Sequence, residues 1–135
     1  MTTGYSGTPL AHKLGLKPGM RIWFDAMPET VRAEIAGEVD GLEAVDDPAK
    51  GFAAAHLFTT ERAALERELA RLMKAMDRDG MIWVSWPKKA AKMDTDITED
   101  VIRSVALPMG LVDVKVCAVD ATWSGLKLVI RKELR

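Results

Sequence analysis

The chain has 135 residues, with 19 basic and 20 acidic side chains and a formal net charge of −1. Its hydrophobic share of 48% is typical of a folded globular domain and excludes general disorder. The near-neutral charge excludes a global attraction to nucleic acid or anionic lipid. Cys117 is the only cysteine, which excludes an internal disulfide and a cysteine-rich zinc site.

The first ten residues mix small and polar types and have no apolar core, so they do not resemble a signal peptide. No apolar run approaches the ~20 residues that span a bilayer. We therefore expect a cytoplasmic protein without membrane contact. Its organisation is expected to be an arm over residues 1–19 that packs on a single α/β domain over residues 20–135.

The first elements of the domain are short. The sequence predicts a helix around residues 11–14, ended by Gly15, and then a buried strand over residues 21–24. Pro28 suits the first position of a helix, because its missing N–H has no partner there in any case. Gly37 is expected to end that helix.

The middle of the chain holds two further strands and the most strongly patterned helix. We expect a short strand over residues 42–45 and a buried strand over residues 53–58. Thr59 or Thr60 can cap the helix that follows. The apolar residues of this helix recur on one face at helical spacing: Leu65, Leu69, Leu72, Met73 and Met76.

A turn over residues 77–80 is expected to lead into a strand over residues 81–86, which Pro87 ends. This strand is a near-continuous apolar run, which is typical of a central strand covered on both faces. Asp96 and Glu99 have the spacing of a capping box and predict the start of another helix.

Two alternating strands close the chain, and the short segment between them predicts a hairpin. In the first strand, Val112, Val114 and Val116 are expected on one face, opposite Asp113 and Lys115. Strands that alternate with helices imply a parallel sheet. The predicted fold is therefore a single α/β domain: a mostly parallel Rossmann-like sheet with helices on both faces and a C-terminal antiparallel hairpin.

This series of elements resembles the class I methyltransferase fold. Residues 14–22, Leu-Gly-Leu-Lys-Pro-Gly-Met-Arg-Ile, look like the lead-in to its first strand. Residues 72–86, a helix, a polar glycine turn and an apolar strand, look like a later strand entry. The resemblance implies a methyltransferase-type sheet in a reduced form.

The turn after the first strand departs from that family. The cofactor-binding members place a glycine-rich turn there, so that the backbone can approach S-adenosylmethionine. Residues 25–29 are Asp-Ala-Met-Pro-Glu, which contain no glycine, and Pro28 has no backbone N–H. We therefore expect no cofactor.

A second resemblance covers nearly the whole chain. It lies in three groups of strings: residues 5–10 with 13–15, residues 86–90 with 95–96, and residues 110–120 with 123–128. These strings are similar to a small bacterial family known as domain of unknown function 3052. This resemblance implies no particular activity.

Ligands of open parallel sheets bind beyond the carboxyl ends of the strands. The predicted topology gathers nine candidate ligand-binding residues at that edge: Asp25, Thr59, Thr60, Trp86, Lys88, Lys89, Asp120, Trp123 and Ser124.

Each candidate also has a purely structural interpretation. The lysines, followed by Lys92, could bind a phosphate or carboxylate beside Trp86, or form a solvated basic loop. Trp123 and Ser124 could line the same pocket, or Trp123 could be a lid on the hairpin. Asp25 and Asp120 could be general bases or bind a hydroxyl-rich ligand, or could cap turns.

The remaining reactive residue types point away from catalysis. His12 and His56 are far apart in sequence, and His56 lies in an apolar run, which indicates a packed, hydrogen-bonded histidine. Cys117 lies in an alternating strand and is expected to be inert. The sequence has no P-loop, no metal-binding histidine pair and no serine-hydrolase signature.

These observations favour a non-catalytic domain that binds a small anionic ligand or a protein partner. The first alternative is an S-adenosylmethionine-dependent transferase with an atypical cofactor site. The second is a nucleic-acid-associated regulator, which the lysine cluster alone suggests and the overall charge disfavours.

Overall fold

The computed structural model of the protein describes residues 8–135. Its strands are β1 Arg21–Asp25, β2 Glu43–Ala44, β3 Phe52–Phe58, β4 Met76–Pro87, β5 Leu111–Ala118 and β6 Trp123–Ile130. Its α-helices are α1 Leu10–Lys13, α2 Glu29–Glu38, α3 Arg62–Ala75 and α4 Glu99–Ala106. None of the helices in this part of the chain is long and apolar enough to cross a membrane.

The strands form one sheet in the order β2-β1-β3-β4-β6-β5. The pairs β1–β2, β1–β3 and β3–β4 are parallel, whereas β6 runs antiparallel to both β4 and β5. The predicted fold class, a mostly parallel sheet with an antiparallel C-terminal hairpin, is confirmed. Because β5 and β4 both run antiparallel to β6, they end at the same edge of the sheet as β1 and β3.

Each face of the sheet has its own hydrophobic core. The side chains of α3 and α4 pack on one face around Leu57 and Ile82, and those of α1 and α2 pack on the other around Ala54 and Trp83. Burial on both faces explains the continuous apolar sequence of β4 over residues 81–84, where neither face of the strand meets solvent.

The segment that carries α1 docks on the second of these faces. Leu10 and Leu14 are 1% and 0% exposed, and the indole Nε1 of Trp83 donates a buried hydrogen bond of 2.9 Å to the backbone oxygen of Leu14. Residues 1–7 of the predicted arm lie outside the described residues, so the prediction for the arm as a whole stays a prediction.

The helix α3 has the predicted amphipathic form. Leu65, Leu69 and Leu72 are fully buried beneath it. On its outer side, Arg62 and Glu66 form an ion pair, as do Glu68 and Arg71. The chain leaves this helix at the edge of the sheet where the parallel strands begin.

The predicted turn over residues 77–80 is wrong, because β4 already begins at Met76. Phe52 pairs with Met76 and Ala54 pairs with Met81. Residues 77–80 therefore form a bulge within the continuous strand β4. Gly80 permits this close approach, since a Cβ atom there would lie 2.8 Å from the carbonyl oxygen of Ala53.

The predicted capping role of Asp96 is also wrong. Helix α4 is capped by Thr98, whose hydroxyl accepts a hydrogen bond of 3.2 Å from the backbone N–H of Val101. Asp96 instead caps α3, because its carboxylate accepts a hydrogen bond of 2.6 Å from the backbone N–H of Arg62.

Two other predicted helix ends differ from the structure. Neither Thr59 nor Thr60 is the N-cap of α3; that residue is Glu61, whose side chain makes no cap hydrogen bond. The hydroxyl of Thr59 accepts a hydrogen bond of 3.4 Å from the N–H of Glu61. Helix α2 continues through Gly37 to Glu38, so Gly37 does not end it.

The predicted alternation of β5 is broken. The pairing with β6 shifts between Asp113 and Lys115, which leaves Val114 as an extra residue. Asp113 therefore reaches Arg103 of α4 on one face, whereas the ammonium of Lys115 donates to the backbone oxygen of Lys13 beside α1 on the other. The two charges lie on opposite faces.

Candidate functional site

The strand directions place all nine predicted site residues at the carboxyl edge of the sheet. Asp25 ends β1, the threonines follow β3, Asp120 follows β5, and the antiparallel β6 begins at this edge. The structure divides these nine residues into separate groups.

The largest group surrounds the end of β4. Trp86 pairs with Ser124 across the sheet. The ammonium of Lys88 donates a hydrogen bond of 2.7 Å to the backbone oxygen of Asp120, and its backbone N–H donates one of 2.8 Å to Thr122. Lys88 therefore joins the end of β4 to the turn of the terminal hairpin.

The carboxylate of Asp120 stabilises that turn. Its Oδ1 atom accepts hydrogen bonds of 2.8 Å from the backbone N–H groups of Thr122 and Trp123. This is the capping role left open by the sequence, and it engages one of the two carboxylate oxygens.

Trp123 has the geometry of a lid on the face covered by α1 and α2. Its ring meets that of Phe58 edge-on, with the ring centroids 5.2 Å apart and an angle of 81° between the planes. Trp86 packs with the core of the opposite face. The two indoles therefore do not line one pocket.

A cavity of about 450 Å³ opens at this edge, on the face covered by α3 and α4. Its walls come from the end of β4, the loop that follows and the start of α4: Trp86, Pro87, Lys88, Lys89, Met93, Thr95, Ile97, Thr98 and Glu99. It contains three of the nine predicted residues, namely Trp86, Lys88 and Lys89.

The lining residues beyond position 92 were not predicted. They come close to β4 because the loop is tied to the β3–α3 connection: the hydroxyl of Thr95 donates a hydrogen bond of 2.7 Å to the backbone oxygen of Thr60, and Asp96 binds Arg62. No periodic pattern marks such a loop, so the sequence carries no local signal for it.

Most polar groups of the cavity already have partners. The hydroxyls of Thr95 and Thr98 accept backbone hydrogen bonds from Ile97 and Val101, and Glu99 pairs with Arg103. Lys89 is exposed and forms no ion pair with any carboxylate of residues 8–135. It is therefore the cation available to a bound anion.

Asp25 lies apart from this cavity. Burial raises the pKa of its carboxyl group, and so does the nearby Glu68, whereas Arg71 acts in the opposite direction. The guanidinium of Arg71 also lies over the ring of Trp23, 5.1 Å from its centroid. Asp25 thus faces α3.

The turn after β1 keeps a glycine-like backbone without a glycine. Ala26 has a φ of 57°, in the left-handed region that favours glycine. The side chain of the next residue, Met27, is half-buried and packs against the core beneath α2. A methyl group and a packed side chain therefore occupy positions 26 and 27 of this turn.

His56 is a packed, hydrogen-bonded histidine, as the sequence indicated. It is 1% exposed, its Nε2 lies 2.7 Å from the hydroxyl oxygen of Ser85, and its ring stacks on Phe58 with the centroids 4.4 Å apart. Burial lowers the pKa of this imidazole to about 3. It is therefore neutral near pH 7 and closed to solvent.

Two further observations limit the chemistry of the described residues. Burial raises the pKa of the Cys117 thiol, which disfavours its reactive thiolate form. Within residues 8–135, no three histidine, cysteine or acidic side chains are grouped so that they could hold a metal ion.

Solved structures of methyltransferases have the same fold. A magnesium protoporphyrin IX methyltransferase from Synechocystis PCC 6803, with bound SAM, superposes with a TM-score of 0.56 at 10% identity, covering 91% of this chain and 74% of that one. A putative type 11 methyltransferase from Sulfolobus solfataricus gives 0.58 at 11% identity, covering 93% and 90%. The resemblance to the class I methyltransferase fold is confirmed, and identities this low show the fold alone.

Sequence comparison identifies a family. The family model described as "Protein of unknown function (DUF3052)" matches residues 11–132. No curated protein matches the chain in sequence.

Proposed function

The chain belongs to the DUF3052 family, described as proteins of unknown function, and we propose that it is a non-catalytic domain that binds a small anionic ligand. The binding site is the cavity of about 450 Å³ at the end of β4. The observation that carries this proposal is Lys89, which lines the same cavity as Trp86 and whose ammonium pairs with no carboxylate of residues 8–135.

The fold family implies S-adenosylmethionine, and the turn after β1 does not fit it. That cofactor needs a bare backbone at the turn, whereas this chain has a methyl group at Ala26, the packed side chain of Met27 and an imino acid at Pro28. The residues present at this turn therefore disfavour a transferase reaction through that cofactor.

The cavity has the composition of a small-molecule site. Its volume lies in the usual range for such pockets, and its apolar residues Trp86, Met93 and Ile97 would cover the body of a ligand. Lys89 supplies the charge that fixes an anionic group, and the tethered backbone of Lys88 holds Lys89 close to the sheet.

The test is a thermal-shift screen of the full chain against phosphate-rich metabolites. Lys89→Ala should abolish the shift of any stabilising ligand. Lys92→Ala is the matched control, because Lys92 is exposed in the same loop and does not line the cavity. Lys88→Ala should also reduce the shift, together with the melting temperature of the free protein, since it removes the hydrogen bond to Asp120.

Two results would overturn the proposal. One is a ligand shift that the Lys88→Ala and Lys89→Ala variants leave unchanged. The other is micromolar binding of S-adenosylmethionine or its demethylated product in calorimetry, which would support the transferase alternative. The glycine-like φ of Ala26 is the feature that favours that alternative.

A further inference from the structure

A second cavity, of about 290 Å³, lies between α2 and β2, near the edge of the sheet that β2 forms. Strand β2 has only two residues, which pair with Arg21 and Ile22 of β1. Beyond Ile22, β2 no longer covers the outer side of β1, while α2 continues above it. The cavity is enclosed by α2, the loop over residues 39–42, Ala44 and Phe24.

The walls of this cavity are fixed by backbone hydrogen bonds. Val39 donates to the backbone oxygen of Ile35 at the end of α2. The loop that follows is held at Gly41, whose carbonyl oxygen accepts a hydrogen bond of 3.1 Å from the N–H of Gly19. Val45 donates to Ile22 beyond β2. A cavity with anchored walls needs little rearrangement to accept a ligand.

Its lining combines an apolar interior with two charged residues. Phe24, Ile35, Leu42 and Ala44 supply the apolar surface. The guanidinium of Arg32 lies 5.1 Å from the centroid of the Phe24 ring and pairs with no carboxylate of residues 8–135. Stacking on the ring leaves the N–H groups at its edge free to bind a carboxylate in a bidentate manner.

The second charged residue of the lining, Asp40, lies eight positions further along the chain. Arg32 lies near the start of α2, whereas Asp40 follows the end of this helix at Glu38. A ligand with an anion at one end and a hydrogen-bond donor at the other would match this arrangement, with an apolar body between them beside Phe24.

We propose that this cavity is a binding site for small aromatic carboxylates with a hydroxyl group at the far end. The carboxylate pairs with Arg32, the ring lies in the apolar interior, and the hydroxyl donates to Asp40. This site is separate from the cavity at the end of β4, so its occupancy does not depend on the function proposed there.

The experiment is a titration of the ¹⁵N-labelled full chain with 3-(4-hydroxyphenyl)propionate, followed by amide chemical shifts. We expect saturable shifts at Phe24, Ala36 and Leu42. Arg32→Met, which keeps the apolar stem, should raise the Kd about tenfold or more. Arg78→Met, an exposed arginine outside the cavity, should leave it within about twofold.

A cavity-filling variant and two related probes complete the test. Ala44→Leu should block binding while the protein stays folded, because Ala44 is exposed at the edge of the sheet and lines the cavity. 3-Phenylpropionate should bind more weakly than the hydroxylated probe, and tyramine, which has no carboxylate, should not bind. The proposal is overturned if the amides do not shift, if Arg32→Met binds as tightly as the parent chain, or if tyramine binds equally well.

Discussion

The carboxylate of Asp96 accepts a hydrogen bond of 2.6 Å from the backbone N–H of Arg62, and so caps α3 from a loop 34 residues further along the chain. The same loop supplies Thr95, Ile97 and Thr98 to the wall of the cavity at the end of β4. One contact therefore stabilises a helix and positions a wall of the candidate site.

Asp96→Ala should lower the free energy of unfolding by about 1–2 kcal/mol, the usual effect of losing a helix cap. Urea denaturation followed by circular dichroism measures this loss. Asp94→Ala is the control, since Asp94 is exposed and forms no hydrogen bond within residues 8–135. Equal losses in the two variants would show that the cap contributes nothing.

The buried imidazole of His56 should make the stability depend on pH. Its pKa is lowered from 6.5 to about 3 in the folded state, so below pH 6.5 the unfolded chain binds a proton that the folded chain does not. Its contribution is complete above pH 6.5 and is lost as pH falls towards 3, at up to about 1.4 kcal/mol per pH unit.

The measurement compares the parent chain with His56→Gln, whose amide can still bond to Ser85 and does not titrate. Between about pH 7.5 and pH 5, the parent should lose roughly 2 kcal/mol more than the variant. His12→Gln, at an exposed site, should follow the parent. Parallel pH profiles for the parent and His56→Gln would contradict the prediction.

Gly80→Ala should destabilise the sheet by about 2 kcal/mol or more, because the new methyl group would overlap the carbonyl oxygen of Ala53. Gly37→Ala provides the opposite case. It lies in α2, where no atom of residues 8–135 outside the helix comes within 4 Å of the added Cβ, and it should gain about 0.5–1 kcal/mol of helix stability. Chemical denaturation of both variants checks the difference in sign.

Ala26→Gly should leave the stability unchanged or raise it by up to about 1 kcal/mol. Glycine removes the strain of the positive φ, and this gain offsets its greater freedom in the unfolded chain. Ala33→Gly, at an exposed position within α2, should instead cost about 1 kcal/mol. Similar losses in thermal denaturation of the two variants would mean that Ala26 is not strained.

The elements that the sequence predicts well are those with strong local patterns. Helix α3 shows leucines at helical spacing, and the continuous apolar run of β4 indicates burial on both faces. The run over residues 53–58 contains three alanines, yet its short length and the helix start that follows identify it as a strand. It is observed as β3, Phe52–Phe58.

Three of the errors have a common cause, which is contact between segments distant in sequence. Asp96 has the local spacing of a cap for α4, but its acceptor atom meets Arg62 instead. The polar residues 77–80 look like a turn, yet pairing with β3 continues on both sides of them. In β5, the extra Val114 moves Lys115 to the other face, which alternation alone cannot show.

The candidate site was predicted only in part for the same reason. The rule for parallel sheets places all nine residues at the correct edge, but it does not give the face to which each side chain points. Trp86 and Trp123 separate onto opposite faces, and Asp25 turns towards α3. The far wall of the cavity comes from a loop without a sequence pattern.

The two hydrogen bonds of Lys88 have a mechanical consequence. They connect the mouth of the cavity directly to the turn between β5 and β6, and the indole of Trp123 sits at that turn. A ligand that displaces the Lys88 segment must therefore either break these hydrogen bonds or move the hairpin tip, although residues 119–124 are not among those that line the cavity. Such a movement would reach the contact between Trp123 and Phe58, which lies on the opposite face of the sheet.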